Sequence, residues 1–401
     1  MKRLLAAVTL VAAGLGALVG SQAAAASAAA KKAPRTTTSV AKATTTSTTA
    51  KATTTTTAVP PPVFDATTVA NVRSDADWLL GAQLPDGAIA HYVDRVKIWP
   101  YLGNEAALGL ARATEVTGDT RYVSAVWRWL QWYQAHQDSH GFVTDYNVVS
   151  GVETSTGDMD STDAYAGTFL LAARKAWKAS GDTATLATLR TGIAAAVSAV
   201  EATQDTDGMT WAKPAWRVKY LMDQGETYAG LRAAVELATA LNDSVLSQRA
   251  GSDANRMAAG VASLWDNPTA AYDWAKHDTG ALQTTNWSVL YSDALQQPWA
   301  VTYGLSTGTA AQSLVTRFTT AQPNWATPTA TAVFTSGPST VGYWPAAGLA
   351  LVQTGQTTQA AAAAASIRTA AVAAGKAWPF DTGVAGLLVL LESGDSSYLA
   401  R

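Results

Sequence analysis

The stretch Asp160-Ser-Thr-Asp163-Ala-Tyr-Ala-Gly167-Thr-Phe-Leu-Leu-Ala-Ala173 is acidic in its opening turn and then small or apolar on almost every side. A helix that is apolar all round has to be enclosed by other helices. This one follows a long loop, residues 138–159, and ends at Gly181-Asp182, which leads at once into a more mixed helical segment, 183–203. One such pair cannot bury its inner member. Several pairs stacked side by side can, and function then gathers in the loops on one face.

The same alternation runs outward in both directions. Helical periodicity, as in Val69, Val72, Ala76, Leu79 and Leu80, predicts segments at 67–83, 104–117, 120–137, 160–180, 183–203, 223–241, 244–264, 293–305, 309–320, 342–353, 358–374 and 381–392. Long loops alternate with short turns such as Gly118-Asp119, Gly181-Asp182 and Asn242-Asp243, whose residues end one helix and begin the next. Segments after long loops suit an inner ring, and segments after short turns an outer one. The expectation is an all-α protein: a single-domain (α/α)6 toroid of six helical hairpins over residues 63–401.

The residues before that domain read differently. Lys2 and Arg3 precede an apolar run, residues 4–20, and then small residues to Ala30, the layout of a secretory signal over residues 1–29. Residues 30–62 are rich in Thr, Ala and Pro, with runs at 44–46 and 53–57 and then Pro60-Pro61-Pro62. They carry no apolar period and read as a disordered spacer. Seven of the 28 basic residues lie before Val63 and none of the 30 acidic ones does, which leaves 21 basic against 30 acidic residues in the domain. That balance argues against nucleic acid as a partner, because phosphates need clustered cations. The absence of cysteine excludes disulfides and a cysteine-linked lipid. A secreted or wall-associated protein, off the membrane once its signal is cleaved, is expected.

Three of the long loops share a pattern: Asp86-Gly87-Ala-Ile-Ala-His91-Tyr92, His140-Gly141-Phe-Val-Thr-Asp145-Tyr146 and Asp207-Gly208-Met-Thr-Trp211. Each is a turn dipeptide followed by strand-like residues, which predicts short β-hairpins on the loop face. Two inner segments open on Asp160-Ser-Thr-Asp-Ala-Tyr-Ala-Gly167 and Tyr220-Leu-Met-Asp-Gln-Gly-Glu-Thr-Tyr-Ala-Gly230. With these features and its twelve segments, the chain resembles the six-hairpin glycosidase superfamily over nearly all of residues 66–401, without the full signature of one family. The resemblance implies an (α/α)6 barrel whose cleft lies where the loops enter the inner helices. The activity it implies is usually glycoside hydrolysis, with some lyases and epimerases.

Glycoside hydrolysis needs two carboxyl groups, one to protonate the leaving oxygen and one to activate water or attack carbon. The candidates are Asp160 and Asp163, opening one inner segment, and Asp223 and Glu226, opening the next, with Asp293 in reserve. Asp163 is favoured as one member, with Asp223 or Glu226 as the other. Adjacent packed helices lie about 10 Å apart, which suits the wider separation of an inverting pair. Asp-x-x-Asp and Asp-x-x-Glu at helix starts also fit capping, which would leave Asp160 and Asp223 as helix caps. Fifteen Trp against six Phe favours amphipathic contact surfaces. Aromatic faces stack on sugars, which makes Trp99, Tyr146, Trp211, Trp216, Trp274, Trp287 and Trp344 candidates for substrate contact, together with His91 as a hydrogen-bonding group. His136 and His140 stand four residues apart, but the second lies beyond the end of its helical segment, and Gly304-Leu-Ser306-Thr-Gly308 follows a helical segment where a nucleophile elbow needs a strand; no P-loop or dinucleotide motif occurs, so no metal or cofactor is expected. The sequence therefore reads as a secreted, monomeric, inverting glycoside hydrolase with a carbohydrate substrate. The alternatives are a lyase using Tyr146 or His140, and a non-catalytic carbohydrate-binding wall protein.

Overall fold

Each hairpin is punctuated by the residues at its turns. Gly118 and Gly181 end their helices in the left-handed conformation that glycine adopts freely, at φ 72° and 69°. The next residue begins the following helix: Asp119 caps the Arg121 N–H and Asp182 caps the Thr185 N–H. Asn242 and Asp243 repeat the device, with φ 56° at the asparagine and the aspartate capping Leu246.

The computed structural model describes residues 64–327 and 342–399, together with the backbone of the strands Thr331–Phe334 and Gly337–Thr340. The expected signal and spacer lie outside the described residues. From Pro62 onward the chain forms one unit. Its inner helices are α2 (Pro100–Thr117), α4 (Thr162–Ser180), α7 (Leu221–Ala240), α9 (Leu295–Thr302), α11 (Pro345–Gln353) and α13 (Thr382–Glu392). Each packs on the next, and α13 packs back on α2, so the ring closes. Around it lie α1 (Ala66–Ala82), α3 (Thr120–Ala135), α5 (Thr183–Thr188), α6 (Arg190–Thr203), α8 (Ser244–Ala262), α10 (Gly308–Ala321) and α12 (Thr357–Ala373). The fold is the six-hairpin (α/α)6 toroid.

Two differences from the sequence reading are local. The third outer segment, read as one helix, breaks at the fully buried Leu189 into α5 and α6. Several inner helices begin off the expected position: α2 starts at Pro100, with proline at its first position, where its missing N–H costs nothing.

Inner helices approach closely where both lack a side chain. A Cβ on Gly230 would sit 2.3 Å from the Gly167 carbonyl oxygen, and one on Gly109 would sit 2.4 Å from Gly386 Cα. The three repeated loops are one structural unit. Gly87, Gly141 and Gly208 all have positive φ, and a Cβ on each would fall within 2.7 Å of a backbone oxygen of the following outer helix, at Arg128, Ala195 and Arg256. The strands beside them are short. Lys97–Ile98, Tyr146–Val149 and Val152–Ser155 form one small sheet, and Val218–Tyr220 pairs with Ala275–His277.

The far end of the ring is closed by charge. Lys175, with a side chain 1% exposed, meets Glu115 and Asp395 at 2.8 Å each, and Arg112 meets Glu115 at 2.7 Å. Tyr398 then donates to the Thr302 carbonyl at 2.8 Å and ties the chain end to α9. The open end is the one where the inner helices begin.

Candidate functional site: a carboxyl cluster at the inner helix starts

Ser161 caps α4, its hydroxyl accepting from the Ala164 N–H at 3.3 Å. The same oxygen lies 2.6 Å from Asp163 Oδ1, to which it donates, and 3.3 Å from Asp223 Oδ2. Asp163 Oδ1 also accepts from the Ala164 N–H at 2.9 Å, and its Oδ2 accepts from Thr210 Oγ1 at 2.5 Å. Thr210 is bound in turn to Gln224 of α7. Asp163 is therefore fully buried with both oxygens engaged, joining α4, α7 and the third repeated loop. Burial raises its pKa to about 6, against the lowering effect of these bonds.

Asp160 and Asp223 are not the caps of their helices. Ser161 takes that place in α4, and Tyr220, at the head of α7, offers no side-chain cap. Asp160 is exposed, and Asp223 is half-buried with its Oδ2 beside the Ser161 hydroxyl. Burial raises the pKa of Asp223 far above the carboxylate range, and the charges of Asp163, Glu226 and Asp160 add to it. Asp160 meets solvent directly, yet the surrounding protein strips enough water from it to raise its carboxyl too.

Glu226 is 1% exposed, and its Oε1 accepts from Tyr101 Oη at 2.7 Å and from Trp299 Nε1 at 2.9 Å. Burial lifts its pKa to about 8, with Asp163 and Asp160 adding to the rise, so the group is mostly protonated at neutral pH. Donors from α2 and α9 thus fix one oxygen and leave Oε2 for the proton.

Two participants were not singled out in the sequence. Glu105 on α2 is 4% exposed, and burial followed by the charge of Glu226 raises its carboxyl well above the usual range. Tyr303 is 1% exposed and its hydroxyl has no hydrogen-bond partner among the described residues; burial, followed by the charges of Glu226 and Glu105, raises its pKa well above the usual range. The signal for Glu105 was present: it is a lone acid among small residues in the opening turns of an inner helix. For Tyr303, at the C-terminal end of α9, the sequence carries no comparable sign.

The aromatic candidates separate into two groups. Trp216 donates to Tyr220 Oη at 3.0 Å, and Trp274 stacks on Tyr220 at 6.1 Å, beside Asp223 and Asp160. Trp344 stacks on Tyr291 at 5.5 Å and meets Trp299 edge-on at 6.0 Å, next to Glu226. Trp99 and His91 pack together at 4.9 Å at the start of α2, and burial lowers the His91 pKa. Elsewhere, Tyr146 is packed against Trp132 and His136, Trp211 lies under the Lys219 ammonium at 4.0 Å, and Trp287 lies under Arg317. Those three are occupied by protein contacts outside the cluster. His140 stacks on Phe142 and makes no contact with Tyr146 among the described residues, so the two are not brought together as a lyase pair. Asp293 accepts from the Asn286 N–H at 2.9 Å. Between Asp293 and Asp381 the sequence has no Asp or Glu, so the first half of the ring supplies almost all the acid at the open end. Among the described residues, no group of three or more His, Asp or Glu is arranged to hold a metal ion.

No family model and no curated protein matches the sequence. Solved structures do match in fold. The chain is similar to a GH78 family rhamnosidase of a Bacillus species, at 14% identity and TM-score 0.56, over 83% of this chain and 35% of that one. It is similar to a rhamnosidase from Klebsiella oxytoca with rhamnose bound, at 14% identity and TM-score 0.58, over 83% of this chain and 65% of that one. A GH63 mannosylglycerate hydrolase from Thermus thermophilus, in complex with glucose, matches at 12% identity and TM-score 0.57, over 80% of this chain and 99% of that one. The chain thus spans about a third of the Bacillus protein and nearly the whole of the Thermus one. What it shares with all three is the six-hairpin toroid.

Proposed function

We infer that this chain is a glycoside hydrolase whose reaction runs at the carboxyl cluster between α4 and α7. The observation that carries the reading is Glu226: a carboxyl buried at the open end of the ring, fixed through Oε1 by Tyr101 and Trp299, and mostly protonated at neutral pH beside Asp160 and Asp223. A general acid needs a pKa near the working pH and a fixed orientation. Glu226 meets both requirements and would protonate the glycosidic oxygen from Oε2. Asp160, the member most open to water, would act as base on a water molecule. A base that works through water implies inversion. Asp163, with both oxygens already bonded, holds α4 and α7 in place and does not react; Asp223 tunes the charge of the pair. Trp216, Trp274 and Trp344 offer apolar faces to the sugar. Low-identity fold matches support the assignment by analogy, since one fold hosts several chemistries.

The basic start, apolar run and small residues of 1–29 support export, and the Thr-rich 30–62 supports a spacer that holds the domain off a surface. The substrate is then an extracellular oligo- or polysaccharide, cleaved by a monomer. The test is product analysis of the full chain with a panel of plant, fungal and bacterial-wall glycans. New reducing ends without ultraviolet-absorbing unsaturated ends, lost in Glu226→Gln and in Asp160→Asn, support hydrolysis. Unsaturated products would replace it with a lyase. Retention on glycan gels without cleavage would replace it with a binding protein.

A further inference from the structure

A cavity away from the carboxyl cluster lies on the outer wall, has a volume of about 640 Å³, and is formed by the end of α1, the first repeated loop and α3. None of its lining residues carries a carboxyl. Leu80, Leu84 and Pro85 give it an apolar side, and Arg95, Arg121 and Arg128 give it a cationic one.

The three guanidinium groups differ in their partners. Arg121 is neutralised by Asp119, with Nε 3.0 Å from Oδ2 and a terminal nitrogen 2.7 Å from it. Arg95 and Arg128 have no ion-pair partner among the described residues. Arg95 Nε donates to the Gly81 carbonyl at 2.9 Å, and Arg128 donates to the side-chain oxygen of Gln83. These are neutral acceptors. They orient each planar fork and leave its charge and its other N–H groups unmatched. Arg95 itself has φ 57°, a conformation that costs an L-residue energy. Arg112, Arg174, Arg190, Arg249, Arg256 and Arg368 each pair with a carboxylate, whereas Arg217, Arg232 and Arg317, like Arg95 and Arg128, have no ion pair among the described residues; Arg95 and Arg128 line the same cavity. Two unmatched guanidinium groups beside an apolar wall are the complement of a ring that is apolar on its face and anionic at its edge.

We propose that this outer-wall cavity binds an acidic saccharide unit, its carboxylate or phosphate held by Arg95 and Arg128 and its ring face laid on Leu80, Leu84 and Pro85. The site is separate from the carboxyl cluster and stands whether or not the cluster hydrolyses a glycan. In an exported protein it would tether the domain to a charged polymer while the ring opening works on another part of the matrix.

The test uses the full chain and its Arg95→Gln, Arg128→Gln and doubly substituted forms. Binding is measured by calorimetry and by retardation in gels containing polyglucuronate, a polyglycerol phosphate, or neutral dextran, with inorganic phosphate as a competitor. The expected result is binding to one or both acidic polymers that weakens about tenfold for each substitution, in line with loss of one charge-assisted contact. It should weaken with added salt, and dextran retardation should stay unchanged. Preference for polyglucuronate identifies a carboxylate ligand; preference for the phosphate polymer, with competition by inorganic phosphate, identifies a phosphate ligand. No binding to either acidic polymer, or binding that the double variant retains in full, overturns the proposal. Thermal unfolding of each variant checks the fold. Arg95→Gln, which gives up only a bond to a carbonyl at the surface, keeps the test decisive if Arg128→Gln loosens Gln83.

Discussion

Gly167 of α4 and Gly230 of α7 face each other so closely that a Cβ on Gly230 would lie 2.3 Å from the Gly167 oxygen and 2.4 Å from its Cα. Their contact sets the distance between the two helices that carry Asp163, Asp223 and Glu226 at their starts, with Asp160 just ahead of one of them. Gly230→Ala would force the helices apart. The expected cost is overpacking of about 1–3 kcal/mol, with a loss of activity larger than the loss of folded protein. Gly251 is the control: a Cβ there meets only Val235, at 3.7 Å. Gly251→Ala should be neutral or stabilising by up to about 1 kcal/mol, because alanine is the better helix former. Denaturant melts and reducing-end assays on both variants make the comparison. Equal behaviour of the two would show that the glycine contact does not set the site.

Glu226→Gln keeps an oxygen to accept from Tyr101 and Trp299 but has no proton to give. The expected outcome is a fall in kcat of roughly 10²–10⁴-fold, the usual contribution of a positioned general acid. KM and thermal stability near pH 5 should change little. An unchanged kcat would move the acid to Asp223.

Asp163 separates a structural carboxyl from a reacting one. Its charge adds to the rise of the Glu226 pKa to about 8. Asp163→Asn removes that charge, so Glu226 should lose its proton at lower pH. The alkaline limb of the pH–rate profile, near 8 in the parent, should shift downward while measurable turnover remains below it. Complete loss of activity at every pH, in a variant that still folds, would make Asp163 a reacting group instead.

The ring was legible in the sequence because its evidence is periodic and repeated. Gly-Asp and Asn-Asp turns mark the ends of hairpins, and a segment such as α4, buried from Thr162 to Ala176, shows its enclosure in its composition. The site was legible only as a set of acids at helix starts. Which acid is open depends on contacts that join distant segments, such as Thr210 to Asp163, 47 residues apart, and Tyr101 to Glu226, 125 apart. A capping pattern fits Asp160 as well as Ser161, and only the fold shows that the serine takes the cap. Among the aromatic residues, one-dimensional position in a loop cannot separate Trp216, beside the carboxyls, from Trp211, covered by Lys219.

The cluster also sets how stability depends on pH. Glu226 has a folded-state pKa of about 8 against 4.5 for the ordinary group, so between those values the folded state holds a proton that the unfolded chain has released. Stability falls with rising pH wherever the folded state binds more protons. The contribution of Glu226 is therefore fully favourable below about 4.5 and is lost as pH rises through about 8. Asp223 and Glu105, both raised by burial, add in the same direction. Asp395, lowered by Lys175 and Arg112, acts in the opposite sense and loses its contribution only in strong acid. The parent should accordingly melt at a higher temperature at pH 5 than at pH 8.5. Glu226→Gln, which cannot ionise, should raise the melting temperature at pH 8.5 by on the order of a few degrees and leave it nearly unchanged at pH 5. A variant that is more stable than the parent only in alkali, and at the same time inactive, would show that the strain of keeping this carboxyl buried is tied to its work as an acid. A variant equally destabilised at both pH values would show Glu226 to be a structural group held by Tyr101 and Trp299.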